Sequence, residues 1–501
     1  MRQLGEQMAS QPGRARFGPT RMPRLLRHQR GTFAIMTAAL ILVMLGFCGL
    51  AIDLGRVYNR KIELQNLADA AALAAAAELD GTREGIDRAV AAAADSAGRN
   101  FRYEYGASMV QWSGDALRFS AAPAGGTWLS ANEARNQPQD VYHAEVDTAN
   151  LADVHGHVAL ALIPVLPSAS ASAQMSGRAV AGRTTINVLP FALCAMSDKR
   201  GVPRGDELVE YGFRRGISYN LMKLNPNGTT TGANFLVNPI APPGSSGGAL
   251  KSRLDIIRPF VCTGTMAMPR VTGATITVEP DFPLGAVAAQ LNSRFGTYEA
   301  PCTAAGAPPD TNVKEYTVSS STNAIGWLVK KPAGQSAAST ATSTSLVTVA
   351  DVPADPNATT TAEMYGPLWI YAKAAKFESY DSTKPEPAGA GYTTFSATSA
   401  DWAKLYTPGS PQLQGTYPTP VPAKSAAQTL APVGLAGVAD RRILHVPLLR
   451  CPVGSSGAGP AEVLAVAKFY MTVKATSDDL IGEFTGLARP DALRGQVELR
   501  Q

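Results

Sequence analysis

The sequence predicts an α+β protein: a single amino-terminal transmembrane helix continuing into a long helix, a small α+β module, then a β-rich module. Three observations predict it. Residues 31–52 carry no formal charge. At ~1.5 Å rise per residue they are long enough for a helix to cross ~30 Å of hydrocarbon. Residues 56–78 follow without Pro or Gly and merge into an Ala-rich run at 68–77, interrupted by Asp69 and Leu73. From Ile186 onward, short β-prone runs are punctuated by frequent Pro and Gly. The expected divisions are a basic arm (1–30), the transmembrane helix with its Ala-rich extension (31–80), a membrane-proximal α+β module (81–185) and a β-rich module (186–501).

Other readings of residues 31–52 fit less well. A cleaved signal peptide has a shorter apolar core and a small-x-small site just beyond it, which is missing here. A lipoprotein signal needs a small residue before its cysteine, and Phe47 precedes Cys48. A buried core helix seldom runs this long without a polar stripe. Gly31, Phe33, Leu40, Leu45 and Ile52 are therefore assigned to the bilayer, and Cys48 becomes an inert, lipid-facing thiol. Upstream lie Arg14, Arg16, Arg21, Arg24, Arg27 and Arg30; downstream, Arg56, Arg60 and Lys61 are offset by Asp53, Glu63 and Asp69. The positive-inside rule places the amino terminus in the cytoplasm and the remaining chain outside it.

Gly31-x-Phe33-Ala34 opens the apolar run. Gly49-Leu50-Ala51-Ile52-Asp53-Leu54-Gly55-Arg56 closes it, and Leu64-Gln65-x3-Asp69-Ala70-Ala71-Ala72-Leu73-Ala74-Ala75-Ala76 follows. This order of elements resembles the amino-terminal module of the TadE/TadG-like proteins of bacterial Flp (tight-adherence) pilus systems. The resemblance covers about 50 residues closely, by the sequence just quoted. It implies an inner-membrane-anchored, periplasm-facing accessory protein. Its implied partners are pilin or pseudopilin subunits and the inner-membrane pilus platform. Two features depart from related patterns. Pilin-like members are cut after a Gly and carry Glu at the fifth mature position; counted from Gly31, that place holds Met36. The anchor is therefore expected to be retained. The Asp-x-Ser-x-Ser metal motif of larger TadG-like members is missing as well.

The totals narrow the function classes. The chain has 501 residues, enough for two or three folded units beyond the anchor. Hydrophobic residues make up 45% and charged residues 17%, which is too apolar for a wholly disordered chain. Residues 1–30 hold seven Arg against Glu6, a net of +6, so the overall +5 leaves the remainder near −1. Nothing points to nucleic acid or another polyanion as partner. Four cysteines lie beyond Cys48: Cys194, Cys262, Cys302 and Cys451, far apart and without a C-x-x-C pair. That argues against zinc or redox chemistry and for two disulfides, with three pairings open. Cys194 and Cys451 each end an apolar, Pro-punctuated run (NVLPFALC and HVPLLRC), which favours Cys194–Cys451 with Cys262–Cys302.

Beyond the bilayer, Val57, Leu64, Ala68, Ala71, Ala75 and Leu79 fall within about 40° of one helical line at 100° per residue. This stripe serves either the protein's own domain or a helix of a pilin-like partner. Ala34-x3-Ala38 and Ala51-x3-Gly55 are small-x3-small pairs that allow a close neighbour in lipid. Gly81 breaks the helix, and Thr82 caps a second one reaching about Ala97, with Gly98 as its stop. Strand-like pieces are expected at 108–112, 116–121 and 141–148, the last with Tyr142, Ala144 and Val146 on one face. An apolar piece spans 159–166, and 168–182 alternates. In the last module the candidates are 186–194, 217–224, 274–278, 368–377, 443–449 and 462–475, with one helix at 284–295. The Ser/Thr/Ala-rich stretch 336–361 and the Pro-rich stretch 407–429 read as surface loops or linkers.

Few motifs suggest chemistry. Gly244-Ser245-Ser246-Gly247-Gly248 matches G-x-S-x-G, but Pro242-Pro243 precede it where a strand is needed, and only His445 follows as a base. Asp153-x-His155-x-His157 could place two imidazoles on one strand face, yet no further ligand is evident, so a surface turn is expected. P-loop, dinucleotide and H-E-x-x-H patterns are missing, and no cofactor is expected. Asp53 sits where the span leaves the membrane. The simpler expectation is an ion pair with Arg56 one turn away; the alternative is recognition of a basic partner. The resulting expectation is a non-catalytic assembly factor, with oligomerisation left open. An envelope-exposed adhesion or binding protein acting through the β-rich module is the alternative.

Overall fold

The computed structural model describes residues 30–100, 110–165, 170–204, 207–214, 216–224, 234–238, 252–268, 270–271, 275–317, 431, 434–454 and 457–500. The basic arm before Arg30, the G-x-S-x-G stretch, the strand expected at 368–377 and both low-complexity stretches lie outside them. The chain divides into two compact units, residues 1–59 with 158–173, and residues 60–157 with 174–501.

The first helix, α1 (Arg30–Glu78), is 49 residues long. Leu, Ala and Met favour it throughout, and no Pro interrupts it. It ends where Gly81 takes a positive φ of 83°. The second helix, α2 (Arg83–Asn100), is capped by Thr82, whose Oγ1 accepts from Gly85 N at 3.0 Å. It runs past Gly98, the expected stop, to Asn100.

In the smaller unit, the first part of α1 is accompanied by the segment 158–173. That segment belongs to a hairpin whose strands β3 (His157–Ala159) and β4 (Ser172–Gln174) form a two-stranded sheet. Leu160 N donates to Ala171 O at 3.0 Å, extending the pairing by one step. The apolar piece expected at 159–166 is therefore mostly turn, with a 3₁₀ turn at Ile163–Val165.

The larger unit begins with a four-stranded antiparallel sheet. Its order is β1 (Leu117–Ser120), β2 (His143–Asp147), β5 (Arg178–Arg183) and β16 (Val497–Arg500). Alternate residues of three strands, Leu117, Phe119, Ala144, Val146, Ala179 and Ala181, face the helices. They pack against Ala68, Ala71, Ala72, Ala75 and Leu79 of α1 and Ile86, Ala89 and Ala93 of α2. Of the strand expected at 108–112, residues 108–109 lie outside the described residues and 110–112 are irregular. Two short helices, α3 (Ala131–Ala134) and α4 (Asp153–Gly156), sit in the connections. The last strand crosses the expected boundary at 185/186, because it returns from the distal module to pair with β5.

The distal module is built on a seven-stranded sheet in the order β10 (Ser218–Asn220), β15 (Ile481–Leu487), β14 (Gly459–Met471), β12 (Thr275–Pro280), β11 (Asn234–Val237), β6 (Phe191–Cys194), β13 (Ile443–Leu449). Because β13 also pairs with β14, five of these strands close into a ring, a small barrel extended by β15 and β10. Strands β7 (Val202–Arg204), β8 (Glu207–Glu210) and β9 (Phe213–Arg214) form a separate three-stranded sheet. The strands expected at 186–194 and 217–224 shrink to β6 and β10; Pro190, with no N–H to give, precedes β6.

Phe213, Tyr219, Phe469 and Phe484 form the aromatic centre, with Phe213 edge-on to both Tyr219 and Phe469. The helix expected at 284–295 is three pieces: 3₁₀ at Leu284–Val287, α6 (Ala288–Leu291) and 3₁₀ at Asn292–Phe295. Val287, at φ −116° and ψ 9°, interrupts the regular helix between the first two. Helix α5 (Leu254–Thr263) was not foreseen because Pro259 lies inside it.

The disulfides are Cys194–Cys451 and Cys262–Cys302, the pairing that the sequence favoured. Cys194 faces Leu449 in the parallel pairing of β6 with β13, which brings it beside Cys451.

Candidate membrane-exit site

Large apolar side chains of α1 stand open from Phe33 to Ile52. Phe33 is 76% exposed, Leu40 and Leu45 60%, and Ile52 56%, and every residue from Leu40 to Leu45 is exposed. Consecutive exposed positions on a helix cover all its sides, so no single face has been saved for a protein core. This is the one described helix long and apolar enough to cross a membrane. Gly31 lies in its first turn. Cys48 is free and exposed.

Asp53 breaks this pattern. It is fully buried although Ile52 and Leu54 beside it are open. One carboxylate oxygen accepts from Ala161 N at 3.0 Å; the other accepts from Leu162 N at 2.8 Å and Ile163 N at 2.7 Å. The sequence explains the convergence. These three N–H groups open the 3₁₀ turn Ile163–Val165, where a helical turn has donors without internal partners. Pro164, the next residue, has no N–H to satisfy. Asp53 thus caps a turn about 110 residues away in sequence. Gly49, one turn earlier on α1, makes the approach possible: a Cβ there would stand 2.5 Å from Leu162 Cβ. Among the described residues Arg56 makes no ion-pair contact with Asp53 within 4 Å, though its charge still acts on the carboxylate, which is held by backbone N–H groups of its own chain.

Farther along α1, the Ala-rich half is fastened to the larger unit. Arg60 Nη1 donates to His155 O at 3.1 Å, and Lys61 Nζ donates to Ser176 O. Gln65 Nε2 donates to Arg178 O at 2.8 Å. Gly177 lies so close to α1 that a Cβ would come within 2.6 Å of the Leu64 backbone. Of the two uses left open for the stripe, packing on the protein's own domain is the one seen: Leu64, Ala68, Ala71 and Ala75 are fully buried and Leu79 nearly so. Small side chains let the helix lie close to the sheet, and only Val57 of the six remains half-open.

The two candidate imidazoles are separated. His155, in α4, is buried and its Nε2 accepts from Gln111 N at 3.3 Å; burial lowers its pKa. His157 is exposed on β3. The pair therefore sits at a helix-to-strand junction rather than on one strand face. Among the described residues no three His, Cys, Asp or Glu side chains converge as metal ligands do.

In the distal module, sequence reading missed a knot of buried arginines. Arg442 donates to the carbonyls of Met471, Thr472, Asn312 and Lys314 and lies 4.3 Å from the Phe295 ring centre. Arg294 donates to Val261 O and Arg441 to Cys262 O. Asp310 accepts from Arg442 N at 2.9 Å, and burial pushes its carboxyl up to about 6. The arginines bind carbonyls of the distal loops, so their evident work is to hold those loops. No pattern of spacing marks them, because their partners are backbone atoms scattered along the chain.

Residues 31–78 match the model of a family described as putative Flp pilus-assembly TadE/G-like. No curated protein and no solved structure matches the chain.

Proposed function

With a TadE/G-like segment forming α1, we propose that this chain is a non-catalytic, single-pass accessory factor that helps assemble a Flp/Tad-type pilus. The observation that carries the reading is that residues 31–78 both match that family and form one continuous helix with an open apolar half. The arginine-rich flank favours a cytoplasmic amino terminus and a periplasmic bulk. Two disulfides suit that oxidising compartment.

The burial of the Ala-rich stripe within the chain supports contacts with pilins, pseudopilins or platform proteins through other surfaces. The open part of α1 is one surface, where Gly46 and Gly55 have nothing within 4 Å of a would-be Cβ. The distal module is the other. The test is a clean deletion in the producing cell. Loss of surface pili with pilin maturation intact is the expected result. Pili of normal number on cells that no longer adhere would overturn it in favour of an adhesin.

A further inference from the structure

We propose that the turn at Ala161–Ile163, held by Asp53, dips into the bilayer beside α1 and gives the protein a second lipid contact. The proposal rests on the reading of α1 as a membrane span. Its first support is depth. Leu162 lies against Gly49. Gly49 is three residues inside the apolar run that ends at Ile52, or ~4.5 Å along the helix axis. A side chain touching α1 there is level with the hydrocarbon edge, where interfacial segments settle within ~5–10 Å of the boundary.

The second support is composition. Residues 158–165 read Val-Ala-Leu-Ala-Leu-Ile-Pro-Val, without a charge or a polar side chain. Leu162 is 41% exposed despite its contact with the helix. It does not stand open alone: Ala161 and Pro164 beside it are exposed as well, so the turn presents a contiguous apolar patch.

The third support is the backbone. Irregular backbone is excluded from the hydrocarbon itself, so the turn is placed at the interface, where its carbonyls meet headgroups and water and only its side chains reach the acyl chains. Here the three N–H groups of Ala161, Leu162 and Ile163 end on Asp53, and Pro164 has none. The same bonds shield the charge that would otherwise make Asp53 costly at that depth. The occupant is therefore lipid acyl chain at the interface, on the side where α1 leaves the membrane.

Nitroxide labels on the full-length protein in phospholipid vesicles test this, read as the ratio of collisions with oxygen to collisions with a water-soluble nickel chelate. Wild type has Cys48 as its free cysteine, so its label reports the span itself. Leu162→Cys in a Cys48→Ser background reports the turn, and Val154→Cys, on a residue 68% exposed, gives the aqueous reference. The expected result is a ratio at 162 several-fold above that at 154 and approaching that at 48. A ratio at 162 equal to that at 154, with 48 still in lipid, overturns the proposal and leaves the anchor standing. An aqueous ratio at 48 removes the anchor and the proposal together. Adding Asp53→Ala to the Leu162→Cys protein should return the 162 label to water. A label that stays in lipid there would show that Asp53 does not hold the turn.

Discussion

Asp53 places a carboxylate on a helix whose neighbouring side chains are apolar and open, and three backbone N–H groups make this tolerable. Hydrogen exchange measures the clamp directly. In Asp53→Ala the amides of residues 161–163 should exchange faster than in wild type, while amides of β2 and β5 keep their protection. His445 offers a test of a different kind. Its Nδ1 contacts Asn187 O at 2.9 Å, and burial lowers its pKa to about 4. A histidine held neutral in the fold stabilises above its unfolded value of ~6.5, and the benefit is lost as pH falls towards 4. The full loss approaches ~3 kcal/mol, taking ~1.4 kcal/mol for each pH unit of displacement. Asp310 acts in the opposite sense: its raised pKa means that the fold gains stability as pH falls through about 6. Urea unfolding of wild type and His445→Gln between pH 7 and 4 separates the two. The variant should lack the acid-side loss that the histidine causes.

At the scale of elements, α1 does two jobs in one helix. Its first half is open and lipid-length; its second is the spine of the proximal module. The division was legible because charge and alanine content change sharply after Ile52. The alternation of Ala144 and Val146 likewise gave β2 its inward face. Helix α5 was hidden by Pro259, and β11 is too short for periodicity to register. The Asp53 clamp was illegible for another reason. Its donors are backbone N–H groups some 110 residues away, and no side-chain pattern announces a backbone partner. One substitution tests the helix-to-sheet contact. Gly177→Ala would place a methyl 2.6 Å from the Leu64 backbone. It should cost about 1–3 kcal/mol, as overpacking does, and lower the thermal midpoint of the folded protein.

On the scale of the whole molecule, the proximal sheet is finished by residues from the far end of the sequence. Val497–Arg500 pair with Arg183 to Val180, and Arg494 reaches Glu78 at the end of α1. A version ending at Gly495 should keep both disulfides and lose the fourth strand. Limited proteolysis should then cut within residues 117–183 faster than in wild type, with the distal module unchanged. Since ribosomes deliver a chain in order, β5 emerges some three hundred residues before the strand that covers its edge. Throughout that interval the newborn molecule presents a bare row of amides and carbonyls. It must wait, or be chaperoned, until its own tail arrives to zip the seam.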